Sequence, residues 1–412
     1  MANSRKYDIV VYGATGFTGE LTCEYIAEVN DKSLKWAIAG RSISKLEKVK
    51  ENLIKLNESA KDVDLIVADA TNPESLDAFL KDTTVVISTV GPFTLYGTPL
   101  VEACIRQKTH YVDITGEHNW IKTIIDKYHE KAKEEHVMIV PTCGFDSVPS
   151  DLGVFMVVDY IRQKHNLSTA EVKTSVVKIV GGASGGTLQT MIVSLNDKSL
   201  TRSQQFDPYL LASEKGLDKP YLPTCYRDYD FGKKWQVFFI MSVINEKVVR
   251  RSWSLYGERG QSYGKLFKYK ETMSLPFLPA LLLSSVFLAV LPFAATFLRI
   301  GWIRRTAQKI LPKGGDGPSL EDRLKGKFEY QIVGTAETEP YDNPIKVRGY
   351  VKGYRETCRM VAESALCIAK SLNSLPGKEG GILTPATAFG QVLIDRLTAT
   401  GGMVFEVKDI ED

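Results

Sequence analysis

Between residues 7 and 150, short apolar runs alternate with stretches in which apolar residues recur every three or four positions. The runs at 7–12, 35–39, 64–68, 84–90, 110–114 and 137–141 read as strands, and their lack of polar alternation places them in a sheet covered on both faces. Between two of them, Ile43, Leu46, Val49, Leu53 and Leu56 form the stripe of a half-buried helix. Asn72-Pro73 and Thr98-Pro99 have the form of N-cap and first-position pairs opening two more helices. Strand and helix in alternation predict an α/β fold, a Rossmann-type doubly wound parallel sheet. From about residue 171 the texture changes. The segments 172–180, 236–244, 248–256, 328–334 and 345–351 predict a second, largely antiparallel sheet, 353–372 a helix, and 381–412 a loop, a helix and a last strand.

Composition narrows the function classes. With 52 Lys and Arg against 49 Asp and Glu the net charge is +3, too small a field to attract nucleic acid, so any electrostatic site is local. The six cysteines are scattered, with no CxxC and no His at zinc spacing, which argues for a reducing compartment and against a metal site. An apolar strand pattern follows Lys6 at once and leaves no room for a signal peptide, so secretion is not expected.

Strand 7–12 runs directly into Gly13-Ala14-Thr15-Gly16-Phe17-Thr18-Gly19 and then into a helical stretch. At such a turn one glycine permits the tight bend, one lets backbone approach a pyrophosphate, and one allows close helix–strand packing, while the helix N-terminus presents N–H groups to phosphate. The end of the second strand selects between cofactors. It reads Ala39-Gly40-Arg41-Ser42, with no carboxylate for a ribose 2′-hydroxyl and with a guanidinium fork suited to a 2′-phosphate, so NADPH is expected and NAD is the less favoured cofactor. Ser42 and Lys45 could assist, and Asp69, after the third strand, lies where an adenine ring would pass.

Four further segments accompany this turn: Val90 to Gly97 (VGPFTLYG), His110 to Glu117 (HYVDITGE), Cys143 to Gly153 (CGFDSVPSDLG), and Gly381 to Arg396. Together with GATGFTG and AGRS they resemble the saccharopine dehydrogenase-like oxidoreductases, including the trans-acting enoyl reductases of bacterial glycolipid pathways. The resemblance implies a dinucleotide-binding domain over 1–165, an inserted β-rich substrate or dimerisation domain over 166–352, and a C-terminal return over 353–412. Val90-Gly91-Pro92 would bring bare backbone to the cofactor crevice, and Tyr96, one turn on, is a candidate proton donor. The same residue is equally well read as a ring stacked at a domain interface. Asp113, Glu117 and Asp146 fall at strand ends on one edge of the sheet; Asp146 also reads as a helix cap, and Cys143 as either an acid or a small buried filler. His110 and His118 flank the same edge without metal-ligand company.

Residues 272–298 contain no charge, are interrupted by Pro276, Pro279 and Pro292, and have basic residues on both flanks. A hydrophobic segment over 272–303 that dips into one leaflet or a lipid-droplet surface satisfies both flanks, a core or homodimer-forming helix being the other reading. The expectation is an NADPH-dependent oxidoreductase that reduces a polarised C=C bond in a hydrophobic, lipid-like substrate. It would sit at a lipid droplet or a cytosol-facing membrane; relatives of this type also point to the mitochondrion. Two alternatives stand: saccharopine-type C–N chemistry, which calls for an Arg cluster from Arg202, Arg227, Arg250, Arg251, Arg348 and Arg355, and a lipid-droplet nucleotide-binding protein without turnover.

Overall fold

The computed structural model describes residues 5–181, 200–221, 224–290, 325–339, 342–354 and 356–410. The apolar runs become β1 (Tyr7–Tyr12), β2 (Trp36–Gly40), β3 (Asp64–Val67), β4 (Thr83–Ser88), β5 (His110–Asp113) and β6 (Met138–Val140), all paired in parallel. Helices α1 (Phe17–Val29), α2 (Ile43–Leu56), α3 (Pro73–Leu80), α4 (Phe93–Gln107) and α5 (His118–Glu134) connect them. In α2 the stripe buries Leu46, Val49 and Leu53, while Ile43 and Leu56 at its ends stay exposed. Asn72 caps α3 by accepting from the Ser75 amide at 3.2 Å, with Pro73 at the first position. The pair Thr98-Pro99 does not open a helix: α4 starts at Phe93, and Pro99 lies inside it, seven positions in, where its missing N–H is accommodated.

The spatial order is 3-2-1-4-5-6, with β13 (Gly381–Ile382) added in parallel beyond β6. The direction of winding reverses between β1 and β4, which opens a crevice at their carboxyl ends. From β6 the chain enters α6 (Val148–His165), buried over its first three turns because it lies beneath the second sheet. A side chain at Gly153 would meet Ile332 at 2.4 Å, so helix and sheet touch through bare backbone there.

The second sheet has seven strands in the order β14-β12-β11-β7-β10-β9-β8: β7 (Thr169–Val180), β8 (Tyr226–Asp228), β9 (Lys234–Phe238), β10 (Lys268–Leu275), β11 (Lys327–Ala336), β12 (Lys346–Tyr354) and β14 (Met403–Asp409). It is largely antiparallel, as expected, with one parallel pair, β7 and β10, that makes the sheet mixed. The expected strand at 248–256 is instead part of α7 (Ser242–Glu258). Its Val, Trp and Tyr favour strand locally, but the helix lets Asn245, Glu246, Arg250, Arg251 and Ser252 reach buried partners that a strand could not supply together. The C-terminal part is divided: α9 (Thr357–Ser371) packs on α1 and β4, β13 joins the first sheet, α10 (Pro385–Phe389) and α11 (Gln391–Ala399) follow, and β14 closes the second sheet.

The uncharged segment is also divided. Thr272 to Leu275 belong to β10, and α8 (Phe277–Ser285) leads into a wider turn over Val286–Val290. Residues 291–303 of the expected segment lie outside the described residues, and among the described residues no helix is long and apolar enough to cross a membrane.

Candidate cofactor and substrate crevice

The turn after β1 has three glycines with three different reasons. Gly13 has φ +93° and a side chain there would meet Thr89 Oγ1 and Val90 Cγ2, each at 2.7 Å; at Gly19 one would meet the Gly13 carbonyl at 2.1 Å. Those two are demanded by the fold itself. At Gly16 the nearest atom among the described residues is the Gly13 carbonyl oxygen at 3.4 Å, so the described residues leave space in front of it. Gly16 is also the N-cap of α1 and supplies no side-chain acceptor, which leaves the positive helix end facing that space, flanked by Thr15, Phe17 and Thr18. A bare cradle at an uncapped helix end fits a pyrophosphate.

Across the crevice wall, Arg41 is exposed at the end of β2, and Ser42 caps α2 without bonding its amides, its hydroxyl instead meeting Ser44 Oγ at 3.1 Å. A second uncapped helix end beside a free guanidinium suits a 2′-phosphate. Asp69, at the end of β3, is half-exposed and accepts from the amide and hydroxyl of Thr71, each at 2.8 Å; those bonds, with Arg41 nearby, hold its carboxyl below the usual range. The residues present therefore fit NADPH. On the other side of the switch point, Val90 is half-buried, and a cis Gly91-Pro92 peptide bond leads into α4.

The comparisons agree with this geometry. Residues 9–140 match the family model of the saccharopine dehydrogenase NADP-binding domain. A Mycobacterium tuberculosis protein named provisionally as a trans-acting enoyl reductase is 35% identical over 97% of both chains, and the trans-acting enoyl reductase of Mycobacterium leprae is 34% identical over 98% of both. The chain belongs to the saccharopine dehydrogenase-like oxidoreductase family. Its fold matches that of saccharopine dehydrogenase from Saccharomyces cerevisiae, with a TM-score of 0.52 over 98% of this chain and 99% of the other at 11% identity. It is an NAD(P)-dependent oxidoreductase, with NADP as the cofactor that the matched domain binds.

The candidate catalytic residues fall in different environments. Tyr96 lies in the first turn of α4 and is 37% exposed, beside Leu95 at 59%, so its phenol is accessible. Asp146 is half-exposed where α6 begins, one residue before the N-cap Ser147, whose own side chain makes no cap bond. Cys143 is fully buried, donates to the Val140 carbonyl at 3.3 Å, and has its thiol pushed well above the ordinary value by burial. That environment fits the reading of Cys143 as a small buried filler. Asp113 is buried too: it accepts from Tyr111 Oη at 2.7 Å, the Thr115 amide at 2.9 Å and the Thr142 amide at 3.0 Å, and desolvation raises it to about 7. His110 is buried at the opposite end of β5, its Nδ1 accepting from the Met138 amide at 3.0 Å. No group of His, Cys, Asp and Glu fit to hold a metal occurs among the described residues.

Glu117, expected at the same sheet edge as Asp113 and Asp146, caps α4 from another loop, a partnership that its sequence position does not show. Asp151, in the first turn of α6, accepts from Ser252 Oγ at 2.5 Å and the Ala386 amide at 2.7 Å, fastening α6 to α7 and α10. A carboxylate among the buried apolar residues of that turn was the available signal.

Proposed function

We propose that this protein reduces a polarised C=C bond in an apolar acyl substrate. What supports the reading is the apolar character of residues at the carboxyl edge of the first sheet and the start of α7. Val90, Ile114 and Met241, at the ends of β4 and β5 and the start of α7, are half-buried and pack on one apolar cluster with Phe93, Trp120 and Ile244. The arginines that a polycarboxylate substrate would need are engaged elsewhere. Arg250 bonds Asp218 at 2.7 Å and Glu246 at 3.2 Å; Arg251 bonds the carbonyls of Leu211 and Ile382; Arg348 donates to the Asp230 carbonyl at 3.0 Å; Arg227 lies 5.1 Å over the Trp235 ring. Arg355 and the side chain of Arg202 lie outside the described residues. This favours the enoyl reading over saccharopine-type C–N chemistry, in keeping with the names of the relatives.

When bound, NADPH supplies a hydride equivalent that an enoyl carbonyl compound accepts at its β carbon. Tyr96 supplies the proton for the α carbon, and Val90, Ile114 and Met241 exclude water from the acyl chain. The test is NADPH consumption with enoyl thioesters of increasing chain length, set against C–N substrates bearing several carboxylates. Tyr96→Phe should lower enoyl turnover by about 10²-fold while NADPH binding is kept. Turnover of the polycarboxylate alone would overturn the reading.

A second observation supports work at a lipid surface, such as a droplet or a cytosol-facing membrane. On α8, Leu278 and Leu282 are 68% and 64% exposed, with Phe277 and Leu281, and Val286 and Leu288 in the turn that follows, also exposed, while Phe277 packs tilted against Trp235 at 4.8 Å and Phe287 edge-on against Phe238 at 4.9 Å. An apolar face fastened to the sheet by two rings is a surface that acyl chains would cover.

A further inference from the structure

Two helices start on the carboxyl edge of the first sheet, on either side of the switch point: α1 after β1 and α4 after β4. Their N-caps, Gly16 and Pro92, provide no side-chain acceptor, so each positive end is suited to an anion. At α1 the nearest atom among the described residues to a side chain placed at Gly16 is the Gly13 carbonyl oxygen at 3.4 Å, an ordinary contact distance. At α4 the helix end is filled by the protein's own carboxylate. Glu117, twenty-four residues beyond Phe93, accepts from the Phe93 amide at 2.8 Å through Oε1 and from the Thr94 amide at 2.8 Å through Oε2, and the Thr94 hydroxyl also donates to Oε2. The residue is only 1% exposed. A buried charge is costly unless several donors surround it, and here two helix-end amides and a hydroxyl do.

Glu117 is itself held in register. Its amide donates to Thr115 Oγ1 at 3.1 Å, and the Thr115 amide donates to Asp113 Oδ1 at 2.9 Å, the oxygen that also accepts from the Thr142 amide at 3.0 Å. The loops following β4, β5 and β6 are thereby joined in one series of acceptors that ends on the Gly91–Thr94 turn.

We propose that Glu117 is a positioning residue for the cofactor. By occupying the α4 N-terminus with a fixed carboxylate, it leaves α1 as the helix end open to the phosphates and holds the Gly91–Thr94 turn as the opposite wall of the crevice. This rests on NADP binding and not on the enoyl reading, so the two fail separately.

The test is titration of the full-length protein with NADPH, read by cofactor fluorescence, in Glu117→Ala with added formate or with chloride at equal ionic strength. Folding is checked by thermal melting. Glu117→Ala should bind NADPH about ten-fold more weakly, the size of a lost charge-assisted cap, and formate should restore most of that affinity by entering the vacated acceptor position while chloride does not. Wild-type protein should respond equally to both salts. Unchanged affinity in folded Glu117→Ala, or a loss that formate leaves untouched, overturns the proposal. If Glu117→Ala does not fold, Glu117→Gln decides: it keeps the volume but loses the charge and one acceptor, and should bind about three- to ten-fold more weakly without formate rescue. Wild-type affinity in Glu117→Gln overturns the proposal.

Discussion

Single residues at the crevice show what kind of information a sequence position carries. Gly13 and Gly19 are glycines because the fold has no room for a side chain, whereas Gly16 is one although the described residues leave space there, as the approach of a pyrophosphate would require. Arg41 was legible for the opposite reason, as a charged group where an acidic one would read a ribose hydroxyl, and the structure leaves its guanidinium exposed near Asp69. A charge-assisted fork to phosphate contributes roughly 1.5–3 kcal/mol, so Arg41→Asp should cut the ratio of NADPH to NADH affinity by about 10- to 100-fold. Parallel titrations with the two cofactors measure it; an unchanged ratio would move the 2′-phosphate away from β2. Cys143 shows the converse, since a reactive residue type in a family-like motif is fully buried and has its thiol pushed well above the ordinary value by that burial.

At the scale of elements, buried carboxylates decide which helices stay together. Asp151 links α6 to α7 through Ser252 and to α10 through the Ala386 amide, and Ser252 Oγ continues to Thr384 Oγ1 at 2.7 Å. Burial raises Asp151 from 3.8 to about 7, against the pull of those bonds. A carboxyl with a raised folded-state value stabilises fully below its unfolded value and loses that contribution as pH rises through the folded one, here between about pH 4 and pH 7. Asp151→Asn keeps a neutral side chain of the same shape, so its melting temperature relative to wild type should rise from mildly acidic to mildly alkaline buffer. Asp151→Ala, which strands the Ala386 amide, should cost about 1–3 kcal/mol at either pH. A difference between Asn and wild type that does not vary with pH would show that Asp151 ionises freely. The same elements explain why the strand pattern at 248–256 is overridden: the polar side chains of α7 gain partners from α6, β10 and β13, elements distant in the chain.

On the scale of the whole molecule, the apolar face of α8 is the feature that remains open. Leu278→Arg with Leu282→Arg places charge on exposed positions, so folding and NADPH affinity should be kept while association with phospholipid vesicles or lipid droplets falls; charges at bilayer depth cost about 2.5–3.5 kcal/mol each. Flotation of the two proteins with vesicles measures this, and equal flotation would remove α8 from any lipid contact. The sequence alone determined the parallel sheet, the phosphate-binding turn and the cofactor choice, because each depends on residues close together in the chain: a strand, its turn and the next helix carry their own pattern. Only the tertiary structure decided that Thr272–Leu275 is a strand of β10 rather than part of a lipid anchor, that β13 and β14 go to different sheets, and that Glu117 closes α4. Those outcomes rest on partners distant in the chain, and the free energy of burying a charge or an apolar run is set by what surrounds it, which no local pattern encodes.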